Sequence, residues 1–201
     1  MICIIDYGAG NLKSVSNALT YIGAENSISA DRDEILSADK IILPGVGAFG
    51  DAMASLKKRG LVNTVYDAIG SGKPFMGICL GMQLLFEDSQ ESPGVAGLGV
   101  FKGHIVKFPG DMGLKVPQIG WNNLNVKQPD SIYGCAQDKY VYFVHSYYLE
   151  ADDPAVVAAE AEYGKMFHAA VEKGNVSASQ FHPEKSGETG LEILKNWAFR
   201  E

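Results

Sequence analysis

Basic residues are in the minority. Seventeen Lys and Arg stand against twenty-four Asp and Glu, a formal charge of −7. The footprint that a phosphate backbone selects is missing, so nucleic acid is not an expected partner. Cysteine is scarcer still. Cys3, Cys79 and Cys135 are odd in number, far apart and without a C-x-x-C pair, which speaks against a disulfide framework or a zinc site and fits a reduced, cytoplasmic setting. No apolar run approaches the length of a bilayer span. Met1-Ile2-Cys3-Ile4-Ile5-Asp6 has neither a basic segment nor a small-residue cleavage site, so it reads as a first buried strand and no membrane is expected. Repeats, low-complexity tracts and Pro/Ser-rich linkers are absent too, so residues 1–201 are expected to form one domain. Lys13 stands where a dinucleotide fingerprint begun at Gly8-Ala9-Gly10 would place its third glycine, and no Gly-Lys-Ser/Thr occurs. No cofactor or metal is expected.

Present instead are 46% hydrophobic and 20% charged residues, the balance of a globular chain. Residues 2–5 are uninterrupted apolar, Gly8 and Gly10 break the run, and Asn11 is placed to cap a helix with Leu12, Val15, Leu19 and Ile22 on one face. Gly23 is placed to end it. The alternation recurs at residues 40–43, before a Pro-Gly loop, and at residues 74–78, directly before a helix-like run at 80–87. Strand, loop and helix repeated predict an α/β, doubly wound, mostly parallel sheet. After Gly97 the pattern turns to period two, at residues 100–108, 121–126, 141–144, 155–161 and 166–171. These predict antiparallel strands added to the sheet's edge in the second half. Residues 186–200 predict a closing helix. Lys57-Lys58-Arg59 before Gly60 reads as a solvated helix terminus.

Gly77-Ile78-Cys79-Leu80-Gly81 falls on a strand-to-helix junction, the cysteine counterpart of a nucleophile elbow. Flanking glycines let strand and helix approach, while the helix N-terminus and a protonated histidine would favour the thiolate. Of four histidines, only His182 is followed at two residues by a carboxylate, Glu184. On an extended chain those two share a side, and Pro183 biases His182 toward that conformation, so Glu184 is placed to orient the imidazole. An oxyanion needs donors. The amides of Val46, in the loop Pro44-Gly45-Val46-Gly47, and of Leu80 are the candidates. Plainer alternatives stand beside each: a small buried thiol, a surface histidine with a helix-capping glutamate, and an ordinary turn. His104, His145 and His168 lack metal-ligand spacing.

Pro44-Gly45-Val46-Gly47-Ala48-Phe49, Gly77-Ile78-Cys79-Leu80-Gly81-Met82-Gln83 and His182-Pro183-Glu184-Lys185-Ser186 together resemble the class I (triad) glutamine amidotransferases. Asp6-Tyr7-Gly8-Ala9-Gly10-Asn11-Leu12, Lys115-Val116-Pro117-Gln118-Ile119-Gly120-Trp121-Asn122 and Val144-His145-Ser146-Tyr147 are similar, within that family, to the glutaminase subunits of imidazole glycerol phosphate synthases. Ala178 departs from the glycine expected there. The resemblance implies a flavodoxin-like fold and glutamine hydrolysis through a Cys79 thioester. It implies that Gly47, Gln83, Glu91, Ser146 and Tyr147 help hold glutamine, and that a cyclase subunit partners the chain as a heterodimer. In such complexes ammonia passes through the barrel-shaped cyclase, which forms imidazole glycerol phosphate and an aminoimidazole carboxamide ribonucleotide. Asn11, Trp121 and Lys185 become candidates for the partner-facing surface, with a helix cap, a core aromatic and a solvated lysine as the plainer readings. The isolated chain is expected to be nearly inactive until a ligand-loaded partner turns an amide near Val46 toward the substrate. The glutaminase of another synthase and a non-catalytic docking subunit are the alternatives.

Overall fold

The computed structural model describes residues 1–200. Its first half is a run of strand-then-helix units. β1 (Ile2–Ile5) is buried at every position and leads into α1 (Leu12–Tyr21), where Asn11 caps the helix by accepting from Ser14 N at 3.4 Å. Val15 and Leu19 form its inner stripe, and Gly23 takes φ +83 just beyond its end, a conformation that costs a glycine little. Then come β2 (Asn26–Ser29), α2 (Arg32–Ser37), β3 (Lys40–Gly45), α3 (Phe49–Lys58), α4 (Leu61–Gly70), β4 (Phe75–Cys79) and α5 (Leu80–Leu84). α5 stops three residues earlier than its sequence suggests. Phe86, beyond the helix end, is fully buried. Lys57 and Lys58 close α3 as expected, while Arg59 reaches back to donate from Nη1 to Asp6 O at 3.2 Å.

The second half contributes β5 (Asp88–Ser89), β6 (Gly103–Lys107), β7 (Gln118–Asn123), β8 (Asn125–Val126), β9 (Tyr140–His145), β10 (Tyr147–Ala151), β11 (Val157–Glu162), β12 (Met166–Lys173), β13 (Val176–Ser179) and α6 (Gly187–Phe199). The main sheet runs β2-β1-β3-β4-β13-β12-β10-β6-β5, with β11 on β12 and β8 on β11. From β2 to β13 all neighbours are parallel, and β12 begins the antiparallel part. One expectation needs correction. β7 and β9 leave the main sheet and pair with each other, with Val141 and Phe143 of β9 set in the same core cluster as Phe108 and Phe167. β5, which precedes Gly97, meets β6 in parallel.

Strand alternation splits the core into two. Cys3, Ile5, Ile41, Leu43 and Phe75 face α2, α3, α4 and α5 on one side. Ile2, Ile4, Ile42, Met76 and Ile78 face α1, α6 and the aromatic cluster of Phe108, Phe143 and Phe167 on the other. β3, β4 and β13 end at the same edge. In an open parallel sheet that carboxyl edge is where a crevice forms.

Candidate active site

β4 runs into α5 with no loop between them, so the junction residue must turn the chain by itself. That residue is Cys79, at φ +54 and ψ −111, in a region that side chains rarely adopt. The turn exists because its neighbours lack side chains. A Cβ on Gly81 would lie 1.9 Å from Leu43 O, and one on Gly77 would lie 3.0 Å from Gly81 O. Gly45 pairs with Cys79 across the β3–β4 ladder, and a Cβ there would meet Leu80 Cβ at 2.8 Å. The sulfur is thus held at the start of a helix, whose free amides favour negative charge. Cys79 is 7% exposed.

β13 ends at Ser179, and the chain continues through Gln180 and Phe181 to His182. His182 is extended (φ −98, ψ 98), as Pro183 requires. From there the geometry differs from the period-two reading. Pro183–Lys185 form a 3-10 turn, and that turn swings Glu184 back so that its Oε1 lies 2.8 Å from His182 Nδ1. Ser186 Oγ donates to His182 O at 2.6 Å, and His182 N donates to Tyr142 O at 3.0 Å, so both ends of the residue are pinned. Gly190 makes room for the turn, since a Cβ there would lie 1.9 Å from Pro183 O.

The two side chains are 3% and 1% exposed. Burial pulls the imidazole's pKa down. The nearness of Cys79 and Glu184, both favouring the charged ring, outweighs it and lifts the value to about 9. No hydrogen bond of standard geometry joins Nε2 to the sulfur, and Nε2 has no partner among the described residues. Because the folded value lies above the ordinary 6.5, this stabilisation is complete below about pH 6.5 and is lost as pH rises through about 9. Glu184→Gln is expected to move the His182 midpoint down, read from imidazole C–H shifts by NMR; an unmoved midpoint would mean that the carboxylate does not hold the charge.

Cys79 and His182 share a cavity of about 380 Å³ with Val46, Gly47, Leu80, Gln83, Glu91, Pro117, Val144, His145, Ser146, Tyr147 and Lys185. Every residue expected to hold substrate or to offer an oxyanion amide is therefore at one wall or another. Glu184 stands behind His182, outside it. Val46 is exposed, and Gly47 takes φ +97 in the loop before α3. Glu91 has a second task. α3 lacks a capping side chain of its own, and Glu91 Oε2 accepts from Phe49 N at 2.8 Å while Ser92 Oγ accepts from Gly50 N at 2.9 Å. Those bonds tie the Val46 loop to the opposite wall. His145 donates from Nδ1 to Tyr147 O at 2.7 Å, with the Gln118 amide 3.0 Å from Nε2. Burial lowers its pKa to about 4, so it is neutral at physiological pH.

Gln180 escaped the sequence reading, although it precedes His182 by the same two-residue step that singled out Glu184. It is fully buried, and its Nε2 lies 3.7 Å from Cys79 Sγ. Trp121 is not a core aromatic: it is 55% exposed, on β7 with Ile119 at 62%. Its ring meets Tyr142 edge-on, and Gly187 lies beneath it. Gly187 and Glu184 share a shallow groove with Ser14 of α1, while Lys185 lines the Cys79 cavity. Elsewhere the fold brings Glu87, His104 and Asp152 together with ligand atoms within 4.8 Å, a grouping invisible in the spacing. These residues are exposed or half-exposed, and His104 Nδ1 already bonds Asp88 at 2.8 Å.

A family model described as glutamine amidotransferase class-I matches residues 3–200. Among named proteins, the chain is 50% identical over 197 residues to the imidazole glycerol phosphate synthase subunit HisH of Methanothermobacter thermautotrophicus, covering 98% of this chain and 97% of that one. It is 49% identical over 203 residues to the subunit of the same name from Geobacter metallireducens, with 98% and 97% covered. A crystal structure of a glutamine amidotransferase shares the fold at a TM-score of 0.77, with 20% identity and 98% of each chain covered.

Proposed function

The chain belongs to the class I glutamine amidotransferases, in the branch of glutaminase subunits of imidazole glycerol phosphate synthase that serve histidine biosynthesis, and from that premise we propose how its residues divide the work. Cys79 attacks the side-chain amide carbon of glutamine. His182 takes the thiol proton and returns it to the departing ammonia. Water, deprotonated by the same imidazole, then cleaves the glutamyl thioester to glutamate. Glu184 holds the imidazole and its charge, as a buried carboxylate does in a triad. The amides of Val46 and Leu80 receive the oxyanion. Glu91 suits the substrate's ammonium group, and the backbone at Ser146 and Tyr147 suits its carboxylate, with Gly47 and Gln83 lining the remaining walls. The observation that carries this reading is the buried His182–Glu184 pair at 2.8 Å, its imidazole in one cavity with a cysteine on a strained strand-helix turn.

As a subunit of a synthase the chain has a partner. We propose that it is the cyclase, docked as a heterodimer over Asn11, Trp121 and Lys185, and that ammonia passes into its barrel. The exposed Ile119 and Trp121 support such a surface. The whole chain serves as one amidotransferase domain and works in the cytoplasm without a cofactor. No helix among the described residues is long and apolar enough to cross a membrane. The loop at Val46 is the proposed switch, its exposed tip free to turn an amide into the cavity when the cyclase carries its ribonucleotide. The test is glutamate release by the chain alone, with cyclase, and with cyclase plus its ribonucleotide, with Cys79→Ala as the control. Turnover is expected only in the last condition. High turnover by the isolated chain, unchanged on adding the cyclase, would remove the switch.

A further inference from the structure

Three amide groups form a chain under the candidate nucleophile. Gln83 Nε2 lies 3.3 Å from Tyr147 O and 2.9 Å from Gln180 Oε1, and Gln180 Nε2 lies 3.7 Å from Cys79 Sγ. The direction of every bond follows from the first partner. A backbone carbonyl only accepts, so the Gln83 atom facing Tyr147 O must be its nitrogen. That nitrogen can only donate, so Gln180 must turn its oxygen toward it. What then remains to face the sulfur is the Gln180 NH₂, a donor. Rotating the Gln180 amide, which has no solvent access, would set its oxygen against Sγ and its nitrogen against the Gln83 nitrogen, leaving buried polar atoms unsatisfied at a cost of about 1–3 kcal/mol each.

A fixed donor aimed at sulfur acts differently on the two states of the thiol. A neutral thiol is a weak acceptor, whereas a thiolate makes a charge-assisted bond that is shorter and about twice as strong. The groups that face Cys79 from other elements are His182 with Glu184 behind it, the Tyr7 hydroxyl packed on Gly45 beyond β1, and, around the cavity, His145, Glu91 and Lys185. Among the described residues, only Gln180 sets within hydrogen-bonding distance of Sγ a side chain that carries no charge and no proton to transfer.

Resting on the reading of Cys79 as nucleophile, we propose that Gln180 is a further catalytic residue: its Nε2–H, oriented by Gln83, donates to the Cys79 thiolate and holds the sulfur toward the cavity before attack. Gln83 is then the positioning residue behind it. The donor is built in, and the partner subunit is not required for it.

The test follows Cys79 alkylation by iodoacetamide against pH in the full chain, with peptide mapping to separate Cys79 from Cys3 and Cys135, and turnover in the complex with cyclase. Gln180→Leu removes the donor. It is expected to raise the alkylation midpoint by about one pH unit, a tenfold loss of thiolate below it, and to lower kcat about tenfold or more with KM changed less than about threefold. Gln180→Glu keeps the shape and the bond from Gln83 but sets a carboxylate against the sulfur, so a larger upward shift is expected. Should Gln180→Leu not fold, Gln180→Glu decides. Midpoints equal to the parent's in the folded variants would overturn the proposal. Glutamate release that survives Cys79→Ala would instead overturn the underlying reading of the nucleophile, and the alkylation curves keep the two failures apart.

Discussion

Cys79→Ala is expected to lower glutamine hydrolysis in the activated complex by about 10⁴-fold or more, with no loss of fold. The size follows from the chemistry. His182 and the oxyanion amides assist a sulfur that bonds to the substrate, and without that sulfur they have nothing to activate. Removal of a nucleophile therefore costs about as much as removal of the whole triad. Stability should not suffer. The residue sits at φ +54, which strains any side chain, and Ala loses only the sulfur and its contact with Gln180. Glutamate release under saturating cyclase and ribonucleotide measures the first part and a denaturant midpoint the second. Turnover within tenfold of the parent would show that hydrolysis does not pass through a Cys79 thioester.

Gly81→Ala is the second large expectation, and its effect is on the fold. One methyl group would be placed 1.9 Å from Leu43 O, which belongs to β3 and cannot move without breaking the β3–β4 ladder that sets Gly45 beside Cys79. Either the ladder or the first turn of α5 must give way. We expect more than about 4 kcal/mol of destabilisation, or no soluble protein. Gly70→Ala makes the contrast. Gly70 lies in α4 with nothing within 4 Å of a new Cβ, so a stability gain of about 0.4–1 kcal/mol is expected. Comparable midpoints for the two variants would mean that the close approach of β3 to α5 is not what makes the elbow.

Much of this protein is legible along the chain because the determining forces are local. Short apolar runs mark β1, β3 and β4 since strands buried on both faces need no alternation. Asn11 and Gly23 bound α1 by capping and by positive φ, which act within a few residues. The cysteine elbow was visible for the same reason, since a strand meeting a helix without a loop demands glycines at fixed offsets from the turning residue.

Other features depend on which segments meet, and no local signal reports that. β7 and β9 alternate like edge strands of the main sheet, yet they pair apart, with Val141 and Phe143 of β9 set in the core cluster that holds Phe108 and Phe167. Glu184 reaches His182 through a 3-10 turn rather than along a strand, because Ser186 and Tyr142, 44 positions apart, clamp the turn against β9. Glu91 caps a helix that begins at Phe49, and Gln180 finds Cys79 from 101 residues away. Local propensity and spacing thus determined most of the elements and the turning cysteine, and singled out His182 and Glu184 without the turn that joins them. Only the packing of β13 between β4 and β12 decided which amide faces the sulfur, because a side chain's partner is set by the order of strands in the sheet, and that order is settled by burial of the whole chain at once.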